Sequence, residues 1–301
     1  MPKKLSVVVV SLTPFDDQLK LDEPAFRSHL RRLKEARVCV YVGGSGSGEG
    51  YSLSVADRDR VLAIAVEELN GHVPCRAMGC EPRTADEMVE FLRAAERSGV
   101  DAAQIFSLDI GHGSKPSIAE LEQYYNTAIG SVSLPVYLSS HHAAGYYVPP
   151  ALIEKLANRF PNLVGIAYGG PSIPYLAELI ERLGDRMEVH CAGPGNGLSV
   201  LAMGGNGFMG GEGNLTPRLV QSVIDGWSSG DYDKARLSFL KLMEFERAYT
   251  LYNGGSSMRS MKPLMNKFGL PAGKLRAPRL PISDTELNDL HAAVMRMELP
   301  I

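Results

Sequence analysis

The sequence predicts a TIM barrel, a (β/α)8 fold of the α/β class, followed by a C-terminal helical extension. Three observations carry this expectation. Short runs rich in valine, isoleucine and leucine alternate with longer stretches whose apolar residues recur at helical spacing. Eight such units fit within roughly 230 residues, an ordinary length for such a barrel. The short runs also lack a polar face, as strands of a parallel sheet covered on both sides require.

The strand windows fall at 5–11 (LSVVVVS), 38–43 (VCVYVG), 73–79 (VPCRAMG) and 101–107 (DAAQIFS). Four more follow at 134–140 (LPVYLSS), 163–168 (LVGIAY), 187–191 (MEVHC) and 206–211 (NGFMGG). Between them, "VADRDRVLAIAVEEL" and "ADEMVEFLRAAERSG" place apolar residues at i, i+3, i+4 and i+7, the spacing of one helix face. "SVADRD" and "TADE" supply N-caps with an acidic first turn, and Gly99 closes its helix. After "TPRLVQSVIDGWSSG" the alternation stops and helix follows helix. The barrel is therefore assigned to 1–230 and the extension to 231–301.

Composition narrows the function. The 301 residues are 45% hydrophobic and 22% charged, with a net charge of −3. No basic field is present to attract phosphates, so a nucleic-acid partner is not expected. No apolar run approaches the roughly 18 residues of a membrane span, so no membrane partner is expected either. "MPKKLSVVVVSLTPF" reads as a first strand, because its apolar core is short and no small-residue cleavage site follows. Cys39, Cys75, Cys80 and Cys191 are scattered without a C-x-x-C pair, the pattern of reduced thiols in a cytoplasmic protein.

In this fold the active site lies at the C-terminal ends of the strands. The loop after strand two, within "YVGGSGSGEGYSLS", is therefore on that face. Its glycines do not match G-x-G-x-x-G, G-x-x-x-x-G-K or G-x-S-x-G, so neither a nucleotide cradle nor a hydrolase elbow is indicated. No cofactor is expected. What remains is a loop dense in backbone N–H groups and small hydroxyls, which suits a carboxylate; the alternative is a tight turn with no ligand.

Several segments together carry a resemblance: "SLTPFDD", "GSGEGYSLS", "NLVGIAYGGPS", "VLAMGGNGFMGGEGNLTP" and "KPLMNKFGL". They resemble the dihydrodipicolinate synthase and N-acetylneuraminate lyase family of class I aldolase barrels. The resemblance implies a small carboxylate or 2-oxo acid such as pyruvate as substrate, and a homo-oligomer, dimer or tetramer. It also implies a strand-six lysine that forms a Schiff base, a strand-five tyrosine that relays protons, and strand-two hydroxyls that hold the carboxylate. By that resemblance Gly46, Ser47 and Glu49 are candidate substrate-binding residues, as are Lys115 in the strand-four loop and Phe208 on strand eight.

The chain departs from the family where the chemistry lies. Ala167 stands at the Schiff-base position, and "SSHHAAG" replaces the strand-five motif, with Ser139 at the tyrosine position. An alanine has no amine, so the imine route is closed there, and losing covalent catalysis raises the barrier by several kcal/mol at about 1.4 per tenfold in rate. His141 and His142 follow Ser139 and are candidate acids or bases, each with a structural hydrogen-bonding role as the alternative. Glu212, after strand eight, is either an acid/base or a solvated loop carboxylate. Tyr137 shares the face of Ser139 and is expected one layer deeper, as packing; Tyr168 is expected to point toward the helices. His112 and His190 are further rim histidines, but no metal-binding spacing is present and no metal is expected.

Three functions fit these residues. The first is a lyase acting on a small oxo- or hydroxy-carboxylate without a lysine imine, by aldol chemistry or by hydration and dehydration. The second is a non-catalytic carboxylate-binding descendant. The third is a Schiff-base pyruvate aldolase inactivated by an engineered alanine at position 167.

Overall fold

A computed structural model describes residues 4–141, 144–252 and 254–301. Eight parallel strands close into a barrel in chain order, β1 to β8. They are β1 (Ser6–Val10), β2 (Cys39–Val42), β3 (Cys75–Met78), β4 (Ala102–Ile105), β5 (Val136–His141), β6 (Leu163–Gly169), β7 (Glu188–Ala192) and β8 (Gly207–Gly210). Each lies within one or two residues of its expected window, so the TIM barrel read from the sequence is the fold observed.

A helix follows every strand: α1 (Glu23–Glu35), α2 (Val55–Leu69), α3 (Ala85–Ser98), α4 (Ile118–Ile129), α5 (Pro150–Arg159), α6 (Ile173–Leu183), α7 (Gly197–Ala202) and α8 (Pro217–Ser229). Their starts are set locally. The Ser54 hydroxyl accepts from Asp57 N–H at 3.1 Å while the Asp57 carboxylate accepts from Ser54 N–H, a reciprocal cap that opens α2. Thr84 caps α3 in the same position, accepting from Glu87 N–H, and Gly99 ends that helix at φ 81°, a conformation only glycine adopts freely. Beyond α8 come α9 (Tyr232–Thr250), α10 (Met258–Lys267) and α11 (Asp284–Arg296).

The chain forms two compact units. One is Arg76–Met209 with the first residues of the chain, and holds β4 to β7 with their helices. The other is Ser6–Cys75 with Gly210–Ile301, so the C-terminal helices belong with β1 and β2. Asn214 holds this second unit together near its start. Its side-chain amide donates to Val10 O and Gly211 O, and its Oδ1 accepts from Leu12 N–H and from buried His29 of α1.

Side-chain direction along the strands fixes what each face carries. Ser140, Tyr168 and Cys191 are register partners, and Tyr168 stacks on Tyr175 of α6 with centroids 4.5 Å apart. That face meets the helices, as expected for Tyr168. The alternate residues on β5, β6 and β7 therefore face the barrel interior.

Candidate active site

Three interior residues stand in one row. Ser139 of β5 pairs in register with Ala167 of β6, and Ala167 pairs with His190 of β7. All three are buried. Beneath this row, two residues earlier on each strand, Tyr137 pairs with Gly165 and Gly165 with Glu188. Gly165 is needed there because a Cβ would come within 2.2 Å of the Tyr137 ring.

This lower level is polar. The Arg76 guanidinium bonds Glu188 Oε2 at 3.1 Å and lies 4.1 Å from the centroid of the Tyr137 ring. Tyr137 in turn donates to the same Glu188 oxygen at 2.9 Å. Burial, the largest single effect, pushes the Glu188 carboxyl up, but the Arg76 charge, the neighbouring His190 and the hydrogen bonds from Tyr137 and Arg76 together outweigh it and hold the group below the usual carboxylate range. Tyr137 is thus one layer deeper, as expected, yet it anchors an ion pair and does more than pack. His190, placed on the rim by sequence, is buried in the strand, and burial lowers its pKa to about 4. It is neutral at pH 7.

His141 ends β5 on the interior face, in register with Gly169 at the end of β6. A Cβ on Gly169 would come within 2.1 Å of His141 Cδ2, so the missing side chain makes space for the imidazole. Ser139, Ala167 and His141 are therefore brought together. His142 lies outside the described residues. Lys115 and His112 are exposed on the loop after β4. Phe208 requires a correction as a substrate contact. Its neighbour Gly207 registers with interior His190, so Phe208 faces the helices, where its ring lies 3.0 Å from the Cβ position of Gly197 in α7.

The glycine-rich loop belongs to the other unit. Ser47 is buried and Gly46 is exposed. Arg279 donates to Gly46 O at 2.7 Å and to Ser45 O at 3.2 Å. Because a trans peptide sets its N–H opposite its C=O, the N–H groups of Gly46 and Ser47 point away from Arg279. These two amides therefore present their donors on the side of the loop away from Arg279.

Glu49 also requires correction as a substrate contact. Fully buried and at φ 52°, it pairs with the Lys262 ammonium of α10 and accepts from Arg276 N–H at 3.0 Å. Lys262 donates further to Thr13 O at 2.7 Å and Lys274 O at 2.8 Å, so all three of its protons are committed. Burial lowers its pKa to about 8, against the opposing pull of Glu49. The pair fastens the loop and leaves Glu49 nothing to offer a ligand. Sequence reasoning missed Lys262 because 213 residues separate the partners.

Glu212 is not a solvated loop carboxylate. It is buried in the turn after β8 and accepts a hydrogen bond from Tyr249 of α9. Burial raises its pKa, with the Tyr249 bond opposing. The preceding Gly211 leaves no room for a side chain, since a Cβ would stand 2.9 Å from Ser47 Oγ. Among the described residues no group of three His, Cys, Asp or Glu side chains is placed to hold a metal ion. No helix among them is long and apolar enough to cross a membrane.

Comparison with known proteins decides the family. The model of the dihydrodipicolinate synthetase family matches residues 3–297. The chain belongs to that family. A relative from Methanopyrus kandleri, named 4-hydroxy-tetrahydrodipicolinate synthase, is 30% identical over 244 residues, covering 80% of each chain. A protein of the same name from Thermodesulfovibrio yellowstonii is 26% identical over 298 residues and 96% of each chain. Among solved structures, YagE, a prophage protein of the dihydrodipicolinic acid synthase family from E. coli K12 in complex with pyruvate, superposes with a TM-score of 0.90. It is 24% identical and the match covers 98% of this chain and 99% of that one. The first monomeric dihydrodipicolinate synthase variant superposes equally well, at TM-score 0.90 and 20% identity, covering 98% and 97%.

Within a dihydrodipicolinate synthetase fold, then, this chain has a methyl group at the middle of β6. A serine and a histidine flank it, and a second histidine stands above.

Proposed function

We propose that the protein is a lyase-type enzyme that acts on a small 2-oxo or hydroxy carboxylate, by aldol cleavage or condensation or by hydration and dehydration, without a lysine imine. The observation that carries this function is Ala167 on the interior face of β6, at the position of the family's Schiff-base lysine by resemblance. Neither Lys262 nor Lys115 supplies a substitute amine. Lys262 spends its three protons on Glu49, Thr13 and Lys274, and Lys115 is exposed on a loop. The carboxylate is assigned to the amides of Gly46 and Ser47 and to the Ser47 hydroxyl. Acid/base work is assigned to His141 or His142, with Ser139 and Glu212 assisting. The working protein is taken as a cytoplasmic homo-oligomer.

The test is direct. Purified protein is offered pyruvate and related 2-oxo and hydroxy acids, with and without aldehyde partners, and products are followed by NMR. Borohydride is added in parallel and the protein mass measured. Turnover without a covalent adduct, diminished in His141→Ala or His142→Ala, supports the function; a borohydride-trapped adduct on the wild-type chain overturns it. A second function, carboxylate binding without turnover, is favoured by one observation: the glycine loop keeps its one-sided amides while β6 has no amine. Calorimetric binding with no turnover of any acid supports it.

A further inference from the structure

We propose that Ser139 and His190 form a two-donor clamp, one on each side of Ala167, that binds the C2 oxygen of a 2-oxo acid as it becomes an enolate oxygen. The clamp rests on the imine-free function proposed above and names the groups that replace the imine's electron sink.

Placement comes first. Ser139, Ala167 and His190 occupy one level of three adjacent parallel strands, and all three point inward. Neighbouring strands lie about 4.8 Å apart, so the backbones of Ser139 and His190 are about 10 Å apart with only a methyl between them. Side chains converge inside a closed barrel. An oxygen set between a hydroxyl and an imidazole that reach in from either side would accept from both, at about 2.8 Å each. On its far side His190 registers with Gly207, so both of its strand neighbours at this level, Ala167 and Gly207, are small.

The level below supports the imidazole. Glu188, two residues earlier on the same face of β7, is fixed by Arg76 and Tyr137. An imidazole has two nitrogens, so one can be held within the protein while the other donates to a ligand. Buried as it is, His190 is uncharged at neutral pH, and a neutral imidazole is an effective electrophile toward a carbonyl. Ser139 is steadied from behind, since the Ser107 hydroxyl donates to its carbonyl at 3.0 Å.

The chemistry balances without a cofactor. A C3–H bond of the 2-oxo acid breaks and its proton passes to the base assigned above. The electron pair becomes the C2–C3 double bond, and the C2=O π pair moves onto oxygen. The two donors bind that oxygen more strongly as its charge grows, and this difference is what lowers the barrier.

Exchange of pyruvate methyl protons in D2O, followed by proton NMR, reads this step alone. The wild-type chain is compared with Ser139→Ala, His190→Phe and His190→Gln, with pyruvate binding measured by calorimetry. Loss of one oxyanion donor typically slows such a step about 100- to 1000-fold, and that loss is expected for Ser139→Ala and His190→Phe. His190→Gln keeps an N–H and is expected to retain more of the rate than His190→Phe. Ser139→Ala removes a single oxygen, so the test stands even if a histidine variant fails to fold. Exchange at the wild-type rate in folded Ser139→Ala overturns the clamp and leaves the imine-free function intact. A wild-type chain that neither binds pyruvate nor exchanges its protons overturns both.

Discussion

The His141 imidazole lies across the Cα of Gly169, at the place where any other residue would put its Cβ. A methyl there would stand 2.1 Å from His141 Cδ2, so the ring must leave if Gly169 gains a side chain. Gly169→Ala is therefore expected to reproduce the kinetic effect of His141→Ala while leaving the melting temperature of the barrel within a few degrees. Equal turnover in Gly169→Ala and wild type would remove His141 from the acid/base assignment.

The Lys262–Glu49 pair is expected to dominate the stability of its unit. Removing one member leaves the other charged and buried, which costs about 3–5 kcal/mol. Lys262→Met should lower the urea midpoint sharply, and adding Glu49→Gln to it should recover part of the loss. An unchanged midpoint in the single variant would mean that the loop is fastened by Arg276 and Arg279 alone.

Glu212 works against stability at neutral pH. Its folded pKa is raised, so its favourable contribution is complete only below the unfolded carboxyl pKa of 4.5 and is lost as pH rises through the folded value. Glu212→Gln keeps an acceptor for Tyr249 and removes the charge. Urea denaturation at pH 7.5 should show the variant more stable than wild type, with the gain shrinking toward pH 4.5. A variant that is less stable at both pH values contradicts this.

Two buried histidines set the acid limit. His29 is held to about 3 and His190 to about 4, both mainly by burial, against an ordinary value of 6.5. The unfolded chain binds more protons at these sites, so stability present above pH 6.5 is lost as pH falls toward 4 and then 3. Each contributes a slope of up to about 1.4 kcal/mol per pH unit in its window. Charging His29 would also create an N–H at Nδ1, for which the described residues offer no acceptor. His29→Gln should flatten the acid limb of a stability–pH curve; an unaltered limb would assign acid unfolding to other groups.

The barrel was legible in the sequence because burial on both faces leaves an unmixed apolar run at each strand. The facing of Tyr137 and Tyr168 followed from alternation on long strands. Phe208 entered as a candidate by resemblance alone; β8 has only four residues, and its facing is fixed only by register, with Gly207 beside His190 and Phe208 beside Cys191. Sequence alone leaves Glu212 open between an acid/base and a solvated loop carboxylate, because the tyrosine that buries it comes from α9, 37 residues later. Likewise, Glu49 resembled a ligand contact until Lys262 stood beside it. Local pattern reports which way a chain runs and turns, and is silent on which distant charge it meets.

The last seventy residues also bear on how this chain can be cut and recombined. Lys262, Arg276 and Arg279 all lie beyond α8, and all three grip the loop that follows β2. A fragment ending at α8 would keep every strand of the barrel and lose every one of those fastenings. Its loop would carry an orphaned carboxylate in place of a shaped row of amides. Tail and loop are thus one inheritable module interrupted by the rest of the protein. Chimaeras between relatives should exchange the two together or leave both alone.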